Sequence, residues 1–286
     1  MRFIGPKSLS IAALAIALLA LSTAATASDF DGLGEKSREK LRSLNEIIVK
    51  NPRSADAYID RAIFYSAAMM EEEATKDFDH AISLDPKNFK AYQERGIAHM
   101  RQEEFKPAVS DFMKAGALAP AGLKGPSYRN AGRALLKLRA NSEAVKALTT
   151  AIACETPYAK HLSLKERAQA YLNLGKYKEA IADVQTIEAT HINHKLNDAR
   201  ALTIRAEAEM HLGQYEKAIA DLSQALRRNR RSDASFETAV FTDGTTRLYQ
   251  LRSECYSKLG NSDLARKDLK KSKTAENDSL KYAPFR

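Results

Sequence analysis

The sequence predicts an all-α fold, a solenoid of antiparallel helix pairs, and three observations carry that prediction. Alanine recurs as Ala74, Ala108, Ala144, Ala180, Ala218 and Ala265, at spacings of 34, 36, 36, 38 and 47 residues. Around each alanine, bulky apolar and small residues return at fixed places with helical rather than alternating periodicity. Glycine and proline are sparse, 12 and 8 in 286 residues, as suits one elongated helical domain without low-complexity linkers. A repeated alanine marks close helix crossing, because a larger side chain would hold the two axes apart.

Residues 1–27 have the form of a secretory signal. Arg2 and Lys7 give a positive start, Leu9 to Leu21 form an apolar run, and Ala25-Thr26-Ala27 is a cleavage motif. The strongly apolar part is shorter than the ~20 residues a spanning helix needs, so a cleaved signal is expected rather than a retained anchor. The mature chain would begin at Ser28 and be periplasmic or secreted. Cleavage would lower the formal charge of +9 to +7. Cys154 and Cys255 are too few for a disulfide scaffold and lie three repeats apart. With ~8–10 Å between stacked helices, they are expected as unbridged, small buried residues.

Residues 28–53 read as a tail and capping helix. Leu41, Leu44, Ile47 and Ile48 form an apolar face over 37–51, and Pro52 follows. Residues 54–286 then hold about six repeats: 55–88, 89–122, 125–158, 161–194, 199–232 and 246–279. The fourth position is large and apolar (Tyr58, Tyr92, Tyr128, Leu164, Leu202, Tyr249), and the eighth is small (Ala62, Gly96, Gly132, Ala168, Ala206, Ser253). A bulky residue returns at position 24: Phe78, Phe112, Leu148, Val184, Leu222 and Leu269. Gly175, Gly213 and Gly260 can each end a first helix. Residues 233–245 are an insertion with apolar Phe236, Val240 and Phe241 and a turn signal at Asp243-Gly244. Two placements stay open for it, packed on the solenoid or folded over the groove as a lid. The last helix carries Lys270, Lys271 and Lys273, with Lys281 beyond, and is expected to be solvated.

Two stretches carry the likeness to a known family: Ala170-Tyr171-Leu172-Asn173-Leu174-Gly175-Lys176-Tyr177-Lys178-Glu179-Ala180-Ile181-Ala182-Asp183 and Ala81-Ile82-Ser83-Leu84-Asp85-Pro86. Over about residues 55–279 the pattern resembles the tetratricopeptide repeat family. The resemblance implies a right-handed superhelix whose first helices line a concave, peptide-holding groove. Positions 5, 9 and 13 face that groove in the family. Here they are Arg129, Arg133 and Lys137, then Lys165, Gln169 and Asn173, with Ile59, Ile63 and Ala67 in the first repeat. An apolar entrance and a basic middle would suit an extended segment bearing carboxylates. The family's carboxylate clamp is not carried over, because Ile59 and Ile63 stand at its leading positions.

Position 7 is Arg61, Arg95, Arg167, Arg205 and Arg252 in five repeats, and position 23 of the same repeats is Asp77, Asp111, Asp183, Asp221 and Asp268. The third repeat has Ala131 and Ala147 instead. Joint loss is what a partly buried ion pair predicts, since either charge alone would be costly. These ten residues are expected to be structural.

No nucleophile, phosphate loop or metal cluster is visible, so no catalytic residue, cofactor or metal ligand is assigned and no enzyme is expected. His191 and His194 have i, i+3 spacing but fall in an inter-repeat loop with no third ligand nearby. Glu71, Glu72 and Glu73 read as a solvated turn. From Arg227 onward the chain has 14 Lys or Arg against 8 Asp or Glu, and Arg227, Arg228, Arg230 and Arg231 form its densest cluster. Two functions follow. The first is an exported scaffold binding a protein or peptide, preferentially acidic, in the groove. The alternative is an envelope adaptor in peripheral contact with anionic surfaces through the arginine cluster. Export and the lack of stacking aromatics argue against nucleic acid.

Overall fold

The computed structural model describes residues 34–190, 198–232 and 238–282. The expected signal segment lies outside them, as do His191 and His194. All regular structure among the described residues is helical: α1 (Glu35–Lys50), α2 (Ala55–Ala67), α3 (Glu71–Leu84), α4 (Phe89–Arg101), α5 (Phe105–Leu118), α6 (Lys124–Lys137), α7 (Asn141–Cys154), α8 (Pro157–Asn173), α9 (Tyr177–Thr190), α10 (Ala199–His211), α11 (Tyr215–Ser232), α12 (Thr238–Lys258) and α13 (Ser262–Tyr282). A 3-10 turn at Ala121–Leu123 precedes α6. The chain divides into two compact units, Met1–Gln102 and Glu103–Arg286. Even-numbered helices are the first, and odd-numbered helices the second, of the expected repeats.

The helices start and stop for local reasons. The Ser54 hydroxyl accepts from the Ala57 N–H at 3.3 Å, and the Asn88 and Asp198 side chains cap α4 and α10 in the same way. Each first helix is followed by one residue in the left-handed region, always at position 15. Gly175, Gly213 and Gly260 take it with φ of 71°, 71° and 75°. Met69, Glu103 and Arg139 take it without glycine, at 62°, 58° and 58°, where a Cβ costs about 1–2 kcal/mol. Glu71, Glu72 and Glu73 form the first turn of α3 rather than a turn between helices, where their charge complements the helix dipole.

In the first unit, Leu41, Leu44 and Ile48 of α1 are buried, and Leu41 and Ile48 join a core with Tyr58, Ala62, Ala74 and Phe78. Ile47, expected on the apolar face, is turned to solvent. In the second unit, α6/α7, α8/α9, α10/α11 and α12/α13 each pack as a pair. Ala144, Ala180 and Ala218 are fully buried where the pairs cross, and Gly132 lets α6 press on α7. A Cβ on Gly132 would lie 2.4 Å from Leu148 Cγ. The expected insertion shrinks: residues 238–245 are the first turns of α12, so Asp243-Gly244 continues a helix instead of turning. Cys255 is buried and free, while Cys154 is free but only half-buried. Leu269 is largely exposed, unlike every other position-24 residue.

Within the two units, four arginines of position 7 form the expected pairs. Arg61, Arg167, Arg205 and Arg252 each donate Nε and Nη2 to the two carboxylate oxygens of Asp77, Asp183, Asp221 and Asp268, at 2.6–2.9 Å. Arg95 and Asp111 belong to different units, and within its own unit Arg95 donates to Asp79 at 2.5 Å. The third nitrogen of each fork reaches the preceding second helix: Arg61 Nη1 donates to Asn45, Arg167 to Thr149, Arg205 to Glu188 and Arg252 to Ser223. Tyrosine rings flank Arg61, Arg167 and Arg252 at 5.6–5.9 Å.

Removing one partner should be worse than removing both. Asp183→Ala strands a half-buried guanidinium and should cost up to roughly 3 kcal/mol, the low end of the scale for breaking a buried pair. Arg167→Ala combined with Asp183→Ala imitates Ala131 and Ala147 and should cost less than the two single changes added. Urea unfolding of the four proteins measures this, and strict additivity would show that the pair does not interact.

Candidate functional site

The first helices of the second unit lie side by side, α6 next to α8, α8 next to α10 and α10 next to α12. Ion pairs cross from helix to helix on this face. Arg200 Nη2 lies 3.5 Å from Glu166 Oε2, and Arg247 Nη2 lies 3.5 Å from Glu207 Oε1. Lys165 pairs with Asp198, the residue that caps α10. Burial alone would push the Asp198 carboxyl up, but Lys165 and the N–H groups of Arg200 and Ala201 outweigh it and hold the carboxyl below its ordinary value.

The expected groove residues divide into those already engaged and those left open. Arg129 is engaged: it donates to Glu155, whose side chain is 1% exposed and whose other oxygen accepts from Ser163 Oγ at 2.7 Å. Lys165 is engaged by Asp198. Ile59 is 0% exposed within the core, and Ile63 packs against that core half-buried. Ile59 therefore offers no surface to a partner; it belongs to a core drawn from α1, α2, α3 and α4, so its apolar side serves folding. Arg133 and Lys137 are the open pair. They sit one turn apart on α6, both exposed, with no ion-pair or hydrogen-bond partner among the described residues. Beside them on α8, Gln169 Nε2 donates to Asn173 Oδ1, and Asn173 Nδ2 donates to Asn141 Oδ1, each at 3.0 Å. Further along, the Tyr177 and His211 rings stack at 4.5 Å with 7° between planes.

The arginine cluster is less available than its sequence implies. Arg227 is exposed, but Arg228 is half-buried, and its Nη1 is buried without a hydrogen-bond partner among the described atoms. Burial pushes its guanidinium below the ordinary value, and it lines a small pocket with Glu188 and Asp198. Arg230 and Arg231 lie in the last turn of α11, and their side chains fall outside the described set. Among the described residues, no group of three or more His, Cys, Asp or Glu could hold a metal ion, and no helix is long and apolar enough to cross a membrane.

Two polar features escaped the sequence reading. Glu155 is one, tying α6 to α8 through Arg129 and Ser163 in the repeat that lacks the arginine–aspartate pair. Gly125 makes room for it, since a Cβ there would lie 2.4 Å from Glu155 Cγ. Glu209 is the other. It stands at position 11, where Tyr65, Tyr171 and Tyr256 flank their arginines, and that departure was the available signal. Its side chain is buried, and Oε2 has no hydrogen-bond partner among the described atoms. Burial first, then Asp221 and Glu188, push the carboxyl up against the pull of Arg205 and Lys217, to about 7.

Glu209 should therefore make stability depend on pH. With its value raised from 4.5 to about 7 by folding, its contribution is full below pH 4.5 and is lost as the pH rises through 7. Glu209→Gln keeps the shape and removes the titration. Urea midpoints between pH 4 and 8, on the order of the range set by these two values, should fall with rising pH in the parent relative to the variant. Parallel profiles would mean that the carboxyl titrates normally.

Residues 129–189 and 165–234 match one tetratricopeptide repeat model, and residues 246–279 match a second. Among solved structures, the chain is similar to YrrB, described as a tetratricopeptide-repeat protein with an unusual peptide-binding site, at 22% identity over 65% of this chain and 92% of that one, with a TM-score of 0.56. It is also similar to PilW, a type IV pilus biogenesis factor (17% identity, 80% of this chain, 94% of that one, TM-score 0.59), and to MamA (19%, 60%, 95%, 0.53). At these identities the likeness is one of fold. No curated protein matches the sequence at comparable significance.

Proposed function

We propose that this chain, which carries tetratricopeptide repeats over residues 129–234 and 246–279, is a non-enzymatic, exported scaffold that binds an extended polypeptide bearing carboxylates. The observation behind this reading is the open pair Arg133 and Lys137. Most cations on the first-helix face of the second unit spend their charge on a neighbouring carboxylate: Arg129 on Glu155, Lys165 on Asp198, Arg200 on Glu166, Arg247 on Glu207. Arg133 and Lys137 do not, and charge-assisted hydrogen bonds from them to an incoming Asp or Glu need no internal bond to break. The amides of Gln169, Asn173 and Asn141 both donate and accept, as a peptide backbone does. The peptide site described for YrrB is consistent with this use of the fold. The apolar end of the site is not kept, because Ile59 is enclosed.

An array of synthetic peptides tests the reading directly. Acidic peptides should bind the mature chain, and their Asn or Gln counterparts should bind about tenfold more weakly, the loss of roughly one charge-assisted bond. Arg133→Glu with Lys137→Glu should abolish acidic binding while the helical circular dichroism stays unchanged. Capture that survives this change but disappears when Arg227, Arg228, Arg230 and Arg231 are neutralised would replace the scaffold with the anionic-surface adaptor. Export has its own check: N-terminal sequencing of the protein from the producing cell should return Ser28, and a chain retaining residues 1–27 would refute cleavage.

A further inference from the structure

The outer side of α13 is unlike the outer side of every other second helix. Position 24 is buried in the first five repeats, with Phe78, Phe112, Leu148, Val184 and Leu222 at 0–1% exposure. Both flanking first helices enclose four of these residues: each packs toward its own first helix, as Leu148 does at Gly132, and also clusters with the next one, Phe78 with Ala91 of α4, Leu148 with Ala170 of α8, Val184 with Ile204 of α10 and Leu222 with Leu251 of α12. No described element follows α13. Leu269 is 46% exposed and Leu264 44%. Arg266, Lys267, Lys270 and Lys273 surround them, all exposed.

Charge at two of these positions is informative. Where the next repeat brings an arginine at position 7, the preceding second helix presents an oxygen acceptor to it. Asp79, Thr149 and Ser223 do so from position 25, and Glu188 from position 28. Where the next repeat has Ala131 instead, position 25 is Met113. Acceptor and arginine therefore come and go together. On α13, position 25 is Lys270 and position 28 is Lys273, so an arginine-bearing helix of this chain's own kind is repelled. Lys271, by contrast, lies over the Tyr249 ring at 5.5 Å, on the side facing α12.

We propose that the outer face of α13 docks an acidic amphipathic helix from a partner protein, which seats on Leu264 and Leu269 as a following first helix would and sets carboxylates against Lys270 and Lys273. This surface is separate from the first-helix face and does not depend on the reading given to it. A helix suits the site because Phe78, Leu148, Val184 and Leu222, the equivalents of Leu269, each cluster with residues of a following first helix, and acid suits it because lysines replace the acceptors.

The probe is a pair of lactam-bridged helical peptides made from Thr245–Lys258 of this chain, both with Cys255→Ser. One keeps Arg247 and Arg252, and the other carries Arg247→Glu and Arg252→Glu. In fluorescence anisotropy against the mature chain, the acidic peptide should bind about tenfold or more tightly than the basic one, since attraction replaces repulsion at two contacts. Lys270→Glu with Lys273→Glu in the protein should invert that preference, and Leu269→Ser should weaken the acidic peptide. All three side chains are exposed, so circular dichroism should confirm an intact fold. Equal affinities, no binding of either peptide, or a preference that ignores the lysine changes would each overturn the proposal. So would phosphatidylglycerol vesicle binding or self-association that requires the same lysines while the peptides fail, which would assign the face to lipid or to a second copy.

Discussion

The arginine of position 7 is the interaction on which the repeats depend. A guanidinium has donors pointing in two directions within one plane, and here both are used. One edge closes on the aspartate of the same repeat and fixes the angle within a helix pair. The remaining nitrogen crosses to the previous second helix and fixes the register between pairs. Lysine has three donors but no planar fork, so it could not close on both carboxylate oxygens in this bidentate way while reaching the previous helix. The tyrosines beside Arg61, Arg167 and Arg252 add cation–π attraction to the pair.

The third repeat shows how the same joint can be rebuilt from other parts. With Ala131 and Ala147 fully or nearly buried, no charge is left inside the pair. Glu155 then enters from the end of α7 and binds Arg129 on one side and Ser163 on the other. The carboxylate has moved from within a helix pair to between two, and the arginine that meets it comes from the face expected to greet a ligand. A residue that looked like a binding group is thereby spent on architecture.

Most of the fold was legible because its signals are periodic. Ala144, Ala180 and Ala218 mark close crossings whatever surrounds them, and the arginine–aspartate covariation within one chain exposed the pairs directly. The site was legible only in part. Helical spacing places Arg129, Arg133 and Lys137 on one stripe, but it does not say which of them meets a carboxylate from elsewhere in the chain. Glu155 and Asp198 decide that, and each is distant in sequence from the cation it neutralises. Ile59 failed for a related reason: a repeat position does not say how many neighbouring helices close over it, and here residues of α1, α3 and α4 share its core. The Asp243-Gly244 signal failed because a local turn preference yields to a helix already running on both sides.

The left-handed residue at position 15 is uniform in geometry and uneven in chemistry. Glycine fills it in the last three repeats, while Met69, Glu103 and Arg139 fill it in the first three, and Met69 is 84% exposed with little packing in return. The conformational penalty of a side chain there, about 1–2 kcal/mol per turn, is thus confined to the N-terminal half of the repeats. Such a gradient separates the chain into turns that close readily and turns that must be held shut by the helices around them. Transient opening under native conditions would then begin at the connections after α2, α4 and α6, leaving the glycine-closed pairs as the last part of the molecule to exchange its amide hydrogens with water.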